Sequence, residues 1–541
     1  TKVTRFAPLR GRKVLIFSDS RQTAARLAPN LQSYSMQDVI RPLLIAGFSR
    51  LQRSEALGPQ LTLEDMYLAV LIAAEMLGVR LRPQLPAGQS FSEELTVRDA
   101  VENGALDDDV KLLRLYRRIS QTVPPRSLLS AMTNCLNDRY YGLESLGLAS
   151  IVECSDHSDH ISGLPEIAPI VTTEEHKHAL VRAWLRCWNR TGFWLSRMPN
   201  ALWRAPRSEG GVNSHSGSFT ALRRFINNKE ALKLFERKWL PDLLQWFTEK
   251  MATNKHRLLG RELSIRIGGD WAYCQSCKTT QRPFPGSHTC INCGRETAVP
   301  IDPMSDSVFT ARKGYYRNST LEALSEPPNP PLAIIAAEHT AQLNAALSDE
   351  VFSAAEENEL LFQDVDLGPD ETGRDRAAID VLSCTTTMEV GIDIGSLSGV
   401  SLRNMPPSRA NYQQRAGRAG RRGNAVATVT AFGSADSHDD HYFSHPDDMI
   451  CGDIIDPTIT LDNTDITQRH ITAFLLQRYH QDRLPSIAPQ DQPNLFAVLG
   501  SVSDFKRNDT IVNREDFTKW LGKNEDSLRG EIVKWLPKEL G

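Results

Sequence analysis

Residues 11–19, GRKVLIFSD, pass from a basic start into an unbroken apolar stretch, the pattern of a strand buried on both faces of a parallel sheet. Ser20 follows as a helix cap for SRQTAARLAPNLQSY, so the chain opens as strand, tight turn, helix. That rhythm then stops. From 37 to 265 the apolar residues recur at helical spacing, as in MYLAVLIAAEML, VKLLRLYRRIS, HALVRAWLRCW and LLQWFTEKM. Thr62 and Asp65 resemble a capping box ahead of the first of these, whose apolar stretch predicts a buried helix. Pro83, Pro86, Pro124 and Pro125 break the pattern, and SEGGVNSHSGS at 208–218 has the composition of a linker. Strand-like stretches return after 331 in LAIIAAEHT, AIDVLSCTT and ATVTAFG. The expected class is α/β. One parallel-sheet domain, residues 1–36 and 331–435, is interrupted by a mainly helical insertion (37–265), a cysteine module (266–300) and a Pro-rich linker (301–330). A mixed, largely helical extension fills 436–541, and separate domains in series are the alternative topology.

Two motifs carry chemistry. QRAGRAGRRG at 414–423 places Arg415, Arg418 and Arg421 three apart, which on a helix aligns them along one side. Permanently charged, bidentate donors of this kind suit a triphosphate, although a solvated basic helix has the same composition. Upstream, VLSCTTTMEVGIDIG at 381–395 runs from a strand into small hydroxyl residues, then Gly391 and Asp393. Strand ends of this type favour phosphates and a ribose hydroxyl. The second motif is Cys274-x-x-Cys277 with Cys290-x-x-Cys293, the spacing of a closed four-thiolate structural zinc site, with a rubredoxin-like iron centre or free thiols as the alternatives.

Bulk properties narrow the picture. The chain has 541 residues and a net charge of -4, so a general basic coat for nucleic acid is excluded and phosphate binding must use local faces. Nine cysteines, five of them scattered, do not form a disulfide framework; a reducing cytoplasm is expected. No apolar run reaches the roughly 20 residues of a membrane span, so no membrane partner is expected.

Together the motifs resemble superfamily 2 helicases. VLIFSDSRQTAARLA is similar to motif IV, EHTAQL at 338–343 to the block that follows it, VLSCTTTMEVGIDIG to motif V and QRAGRAGR to motif VI, in the order of a second RecA-like domain. A finer resemblance is to large bacterial helicases associated with the domain of unknown function 1998, which include a DNA-repair group and helicases of the Druantia and DISARM phage-defence systems. SDSRQTAARLA, HTAQL, a cysteine module within the motor and ITQRHITAFLL carry it. The resemblance implies a RecA-like motor that uses ATP with Mg²⁺. Arg418 and Arg421 would contact the phosphates, with Arg415 beside them, and Gln414 would orient the nucleotide. Gly391 and Asp393 would lie near the ribose. Ser20, Arg21 and Thr385 would touch the nucleic-acid backbone. The expected partner is DNA, as a single strand or a duplex with a single-stranded tail, together with defence-system proteins. No G-x-x-x-x-G-K-[ST] loop and no DEAD or DEAH box occurs in the sequence. A first RecA-like domain, in cis or in trans, is therefore expected to bind most of the nucleotide and Mg²⁺. The absence of an initiator Met before Thr1 suggests that it lies upstream in a longer chain.

Two further clusters admit competing readings. Residues 181–207 hold six arginines, four tryptophans and no acid. Trp184 and Trp188 share a helical face suited to core packing, while Arg182, Arg186 and Arg190 share another that could meet phosphates. His438, Asp439, Asp440, His441, His445, Asp447 and Asp448 resemble a metal or nuclease site, but a loop around Pro446 gives them no common direction, so a structural role is preferred. The function rival from another class is a non-catalytic module that binds nucleic acid or protein; a motor that remodels without unwinding is a second.

Overall fold

The computed structural model describes residues 13–81, 91–189, 219–252, 255–339, 353–369, 376–389, 397, 399–420, 427–453, 463–489, 501–508, 512–536 and 540. They divide into two compact units, Thr1–Gly452 and Asp453–Gly541.

The first unit is built on five parallel strands. Val14–Phe17 occupies the middle, flanked by Val381–Cys384 and Gly399–Leu402; Ala336–His339 and Thr428–Ala431 form the edges. The register is set at Val14, which stands opposite Val381 on one side and Gly399 on the other. Residues 18–335 therefore lie between two strands of one sheet, which is the interrupted topology and not domains in series. Alternation gives the central strand two faces. Leu15 and Phe17 join a core with Phe362, Leu382, Leu397 and Leu402, while Val14 and Ile16 meet Ala28 and Leu31 of the following helix.

That helix, Arg21–Leu51, is capped by Ser20, which accepts from the Thr23 amide. It continues well past the expected end near Tyr34, through Pro29 and Pro42, so the expected boundary at 36–37 falls inside one helix. A proline in a helix interior costs roughly 3 kcal/mol. Burial of the apolar run Val39–Leu51 in the insertion core offsets it. Its first half packs on the sheet, where Ser383 Oγ donates to Ala24 O at 2.9 Å. At its midpoint Ser35 Oγ accepts from Ile334 N at 2.9 Å, hitching the helix to the chain as it returns to the sheet.

The insertion core surrounds helix Met66–Met76, in which every residue from Met66 to Ala74 is buried. The Thr62–Asp65 capping box forms as expected, with Asp65 accepting from Thr62 N at 2.8 Å. The cysteine module is a three-stranded antiparallel ribbon, Thr280–Gln281, Trp271–Cys274 and Ala298–Ile301, and its Phe284 and Ile291 belong to the same core as the helices. The second unit packs Thr464–Arg483 against Arg514–Val533 around Tyr479 and Trp520, with Arg483 forked on Asp516 at 2.7 and 3.0 Å. Among the described residues no helix is long and apolar enough to cross a membrane.

Gly47 marks where the long helix crosses Met66–Met76: a Cβ there would fall on the Ala69 carbonyl. Replacing a helical glycine by alanine normally stabilises by about 0.5–1 kcal/mol. Here backbone must move, so Gly47→Ala should instead destabilise by about 1–3 kcal/mol. A urea midpoint for G47A at or above that of the wild type would contradict this packing.

Candidate functional site

The C-terminal ends of the parallel strands gather the motif residues. Phe17 leads into Ser18, Asp19 and Ser20; Cys384 leads into Thr385 and on to Glu389; Leu402 leads into Arg403 and Asn404. Helix Arg409–Ala416 then begins at Ser408, whose hydroxyl accepts from Asn411 N. Near its end Arg415 turns inward and has no exposed surface. Its Nε donates to Glu389 Oε1 at 2.6 Å, an Nη2 hydrogen bond reaches Asp19 Oδ1, and its guanidinium lies 5.4 Å from the centroid of the Phe17 ring. The other Glu389 oxygen accepts from Asn411 Nδ2 at 3.2 Å, and Arg418 Nη2 donates to the Glu389 carbonyl. Asp19 is held in turn by Asn404, whose Oδ1 accepts from Asp19 N at 3.2 Å. Glu389 thus grips the motif VI segment by side chain and backbone together.

This geometry corrects part of the sequence reading. Arg415 and Arg418 do not share one helix, because the helix ends at Ala416, and Gly420 turns the chain with φ of +78°. Arg415, expected beside the nucleotide, is a buried structural residue; a charge without exposed surface needs carboxylate partners, and it has two. Arg418 is 6% exposed and folded onto Glu389. Gln414 is exposed on the same helix, and Ser20 and Arg21 are exposed at the sheet edge. Thr385 is buried, and the exposed hydroxyl residue of that strand end is Thr386. Arg190, Gly391, Asp393 and Arg421 lie outside the described residues.

Asp19, Glu389 and Asn404 were missed by sequence reasoning, since nothing in their local pattern marks them. Asp439 has the structural role preferred for its cluster. The cluster around it is not a loop but helices Ser437–Ser444 and Pro446–Cys451. Asp439 is buried, and its two oxygens accept from Met405 N at 3.1 Å and Ser434 N at 2.8 Å, bracing the turn that leads into the motif VI helix.

In the insertion, Trp184 and Trp188 are fully buried, as the core-packing reading expects. Arg182 and Arg186 are both paired with acids. Arg182 is forked on Glu153 with contacts of 2.6–3.1 Å, and the buried Arg186 donates to Glu144 at 2.6 Å and to Thr280 O at 3.3 Å. The acids absent from 181–207 come from a strand and a turn packed against the helix. Burial would raise the Glu153 carboxyl, but hydrogen bonds from His178 and Arg182 hold it below its usual range.

The four module cysteines do converge: their sulfurs all lie within 4.8 Å of one another, with Cys274–Cys293 at 3.7 Å and Cys277–Cys290 at 3.6 Å. A tetrahedral zinc with Zn–S near 2.3 Å sets sulfurs about 3.8 Å apart. The two knuckles repeat each other. Lys278 N donates to Cys274 O at 2.9 Å and Gly294 N to Cys290 O at 2.8 Å, and both residues have left-handed φ, +58° and +72°. Backbone amides of Cys277 and Asn292 point at Cys274 and Cys290 sulfurs at 3.4 Å. Such amide-to-sulfur bonds favour thiolates, and the donor set fits zinc.

Comparison with known proteins agrees with the motif order. The model of the helicase conserved C-terminal domain matches residues 371–423. The Druantia protein DruE of Escherichia coli strain UMEA 4076-1 is 31% identical over 98% of this chain, which spans 29% of that relative's length. The ATP-dependent helicase HRQ1 of Saccharomyces cerevisiae strain ATCC 204508 / S288c is 43% identical over 67 residues, 12% of this chain and 6% of its own. The DUF1998 helicase MrfA, crystallised with DNA and AMPPNP, aligns over 24% of this chain and 15% of its own at 21% identity, with a TM-score of 0.17, too partial to bear on the fold. With motifs IV to VI gathered on one parallel sheet, a helicase conserved C-terminal domain match and a relative similar along nearly the whole chain, this polypeptide resembles superfamily 2 helicases and the Druantia protein DruE.

Proposed function

We propose that this chain is the second RecA-like motor half of an ATP-dependent DNA helicase or translocase. The observation that supports it best is the convergence of three distant segments at one sheet edge, with Glu389 and Asp19 fixing Arg415 so that Arg418 follows at a defined place. An arginine offered across a domain interface stabilises charge that develops on a transferring γ-phosphoryl group. Arg418 and Arg421 take that role, Gln414 reaches toward the partner domain, and Gly391 and Asp393 serve the ribose. Ser20 and Arg21, with Thr386 in place of Thr385, face the strand backbone. A first RecA-like domain, in cis or in trans, supplies the Walker lysine and the acidic Mg²⁺ ligand, neither of which occurs in these 541 residues. ATP closes the two domains and hydrolysis releases them, so alternating backbone contacts move the protein along a strand. Similarity to a Druantia protein over 98% of the chain supports a role in antiviral defence with partner proteins of such a system. A non-catalytic module would have no use for an intact Arg418 held next to the edge.

The cysteine ribbon holds one structural zinc through Cys274, Cys277, Cys290 and Cys293. All four positions are filled by protein, so the ion folds the ribbon and does no chemistry.

In the complete enzyme, Arg418→Ala should lower nucleic-acid-stimulated ATP turnover on the order of 10³-fold while DNA affinity changes little. Turnover like that of the wild type would remove Arg418 from the reaction. For the ribbon, elemental analysis should find one zinc per chain, absent in Cys290→Ser. Gly294→Ala should also weaken zinc retention, because a Cβ there would stand 2.8 Å from the Arg224 carbonyl oxygen, whereas Lys278→Gly should be tolerated. Iron in place of zinc, or zinc retained by C290S, would contradict the assignment.

A further inference from the structure

Two basic–aromatic stretches outside the motor, Arg139-Tyr140-Tyr141 and Arg312-Lys313-Gly314-Tyr315-Tyr316, come together on the surface of the insertion. The first lies in the turn after helix Arg126–Asn137 and the second on helix Ser307–Ala323. Tyr141 and Tyr316 lie with centroids 4.2 Å apart and planes tilted by 40°; Tyr140 extends the row at 6.3 Å from Tyr141, and Tyr315 stands perpendicular to Tyr316 at 5.2 Å. The row is held from beneath, where the buried Arg41 donates to Tyr141 O at 3.0 Å. Yet the outer rings are open: Tyr140 is 60% exposed and Tyr315 is 86% exposed.

Cations surround these rings. The Arg139 guanidinium lies 5.7 Å from the Tyr140 centroid, and Lys313 Nζ lies 5.8 Å from that of Tyr141 while donating to Tyr140 O at 2.6 Å. Arg312 is exposed beside them. Among the described residues, no ion pair with a carboxylate neutralises Arg139, Arg312 or Lys313. Three acids lie nearby: Asp138 accepts the Tyr140 and Tyr141 amides at 2.7 and 2.6 Å, Asp38 pairs with Arg41, and Glu322 lines the groove with Asp38. Burial, and then the neighbouring Arg312, push the Lys313 ammonium below its usual range, with Asp138 acting in the opposite direction. Arg317, next in sequence, is turned inward onto Pro303 O and Phe309 and takes no part. Beside Tyr315 and Tyr316 opens a groove of about 570 Å³, bounded by Val39 of the long helix and by Pro331 and Ala333.

We propose that this surface is a second nucleic-acid contact, a stacking platform for an unpaired strand on the insertion, distinct from the motor edge. Exposed rings offer faces to any base, and unneutralised cations beside them track the phosphates. The groove is lined in part by Ser35, which is fifteen residues, or about 22 Å of helix, from Ser20 at the motor edge. A strand leaving the motor would therefore meet the platform several nucleotides on. The proposal rests on the reading of the chain as a nucleic-acid motor, but it does not need ATP turnover.

The test measures binding of fluorescent oligo(dT) to the chain by anisotropy across a salt series. Tyr140→Ala with Tyr315→Ala should weaken binding about tenfold or more, and phenylalanine at both positions should restore it, since stacking needs the ring and not the hydroxyl. Arg139→Glu, Arg312→Glu and Lys313→Glu together should reduce the log–log salt slope by about 2. On the wild-type chain, where folding is not in question, photocrosslinking with 5-iodouracil in the strand should map to peptides holding Tyr140 or Tyr315. If the wild type binds but these variants match it and crosslinks fall elsewhere, the platform is refuted and the motor reading stands. Loss of self-association in the variants with unchanged oligo(dT) affinity would make the surface an interface between copies and also refute it. No binding by the wild type under any salt would overturn both readings.

Discussion

Arg415 has no exposed surface and carries a permanent charge, so it is stable where it lies only because Glu389 and Asp19 are there with it. Removing one partner from a buried pair of this kind leaves an uncompensated charge and costs about 3–5 kcal/mol. The arrangement of the edge follows from that constraint. Glu389 must sit where both Arg415 and Asn411 can reach it, which fixes the end of the 386–389 turn against the 409–416 helix. Asp19 must sit within reach from the central strand, which Asn404 secures. Arg418 then takes its place by donating to the Glu389 carbonyl. Three segments far apart in sequence are thereby tied together through Glu389 and Asp19.

The second organising element is the helix Arg21–Leu51, about 46 Å long at 1.5 Å per residue. It starts at the motor edge, crosses one face of the sheet and ends deep in the insertion core against Ala69. Motor and insertion are therefore joined by a continuous helix and not by a flexible link. The cysteine ribbon belongs to the same body: Arg186 connects Glu144 to Thr280 O, and Phe284 meets Phe225 with centroids 4.9 Å apart.

Local signals were legible in the sequence. The apolar VLIF run, the Thr62–Asp65 capping box, the fully apolar MYLAVLIAA helix and the two CxxC knuckles each specify their structure within a few residues, and each formed as expected. Long-range pairing was not legible. Arg415 looked like a phosphate ligand because its partners stand 26 and 396 positions away. Arg182 and Arg186 looked unopposed because Glu153 and Glu144 precede them by 29 and 42 positions. The same criterion that favoured 181–207, aromatic rings among arginines, passed over Arg139-Tyr140-Tyr141, since only the fold reveals which rings stay open. Helix length was misjudged beyond Tyr34, where burial of Val39–Leu51 carries the helix on through Pro42.

The account depends most on the claim that this chain is one half of a two-domain motor. ATP hydrolysis in the presence of single-stranded DNA, measured for this chain alone and again with a RecA-like domain that carries a Walker lysine and acidic box from a DruE-like protein, tests it directly. The chain alone should show no turnover above background, and the reconstituted pair should hydrolyse ATP in a DNA-dependent manner. DNA-stimulated hydrolysis by the isolated chain, or a reconstituted pair no faster than the added domain by itself, would contradict it.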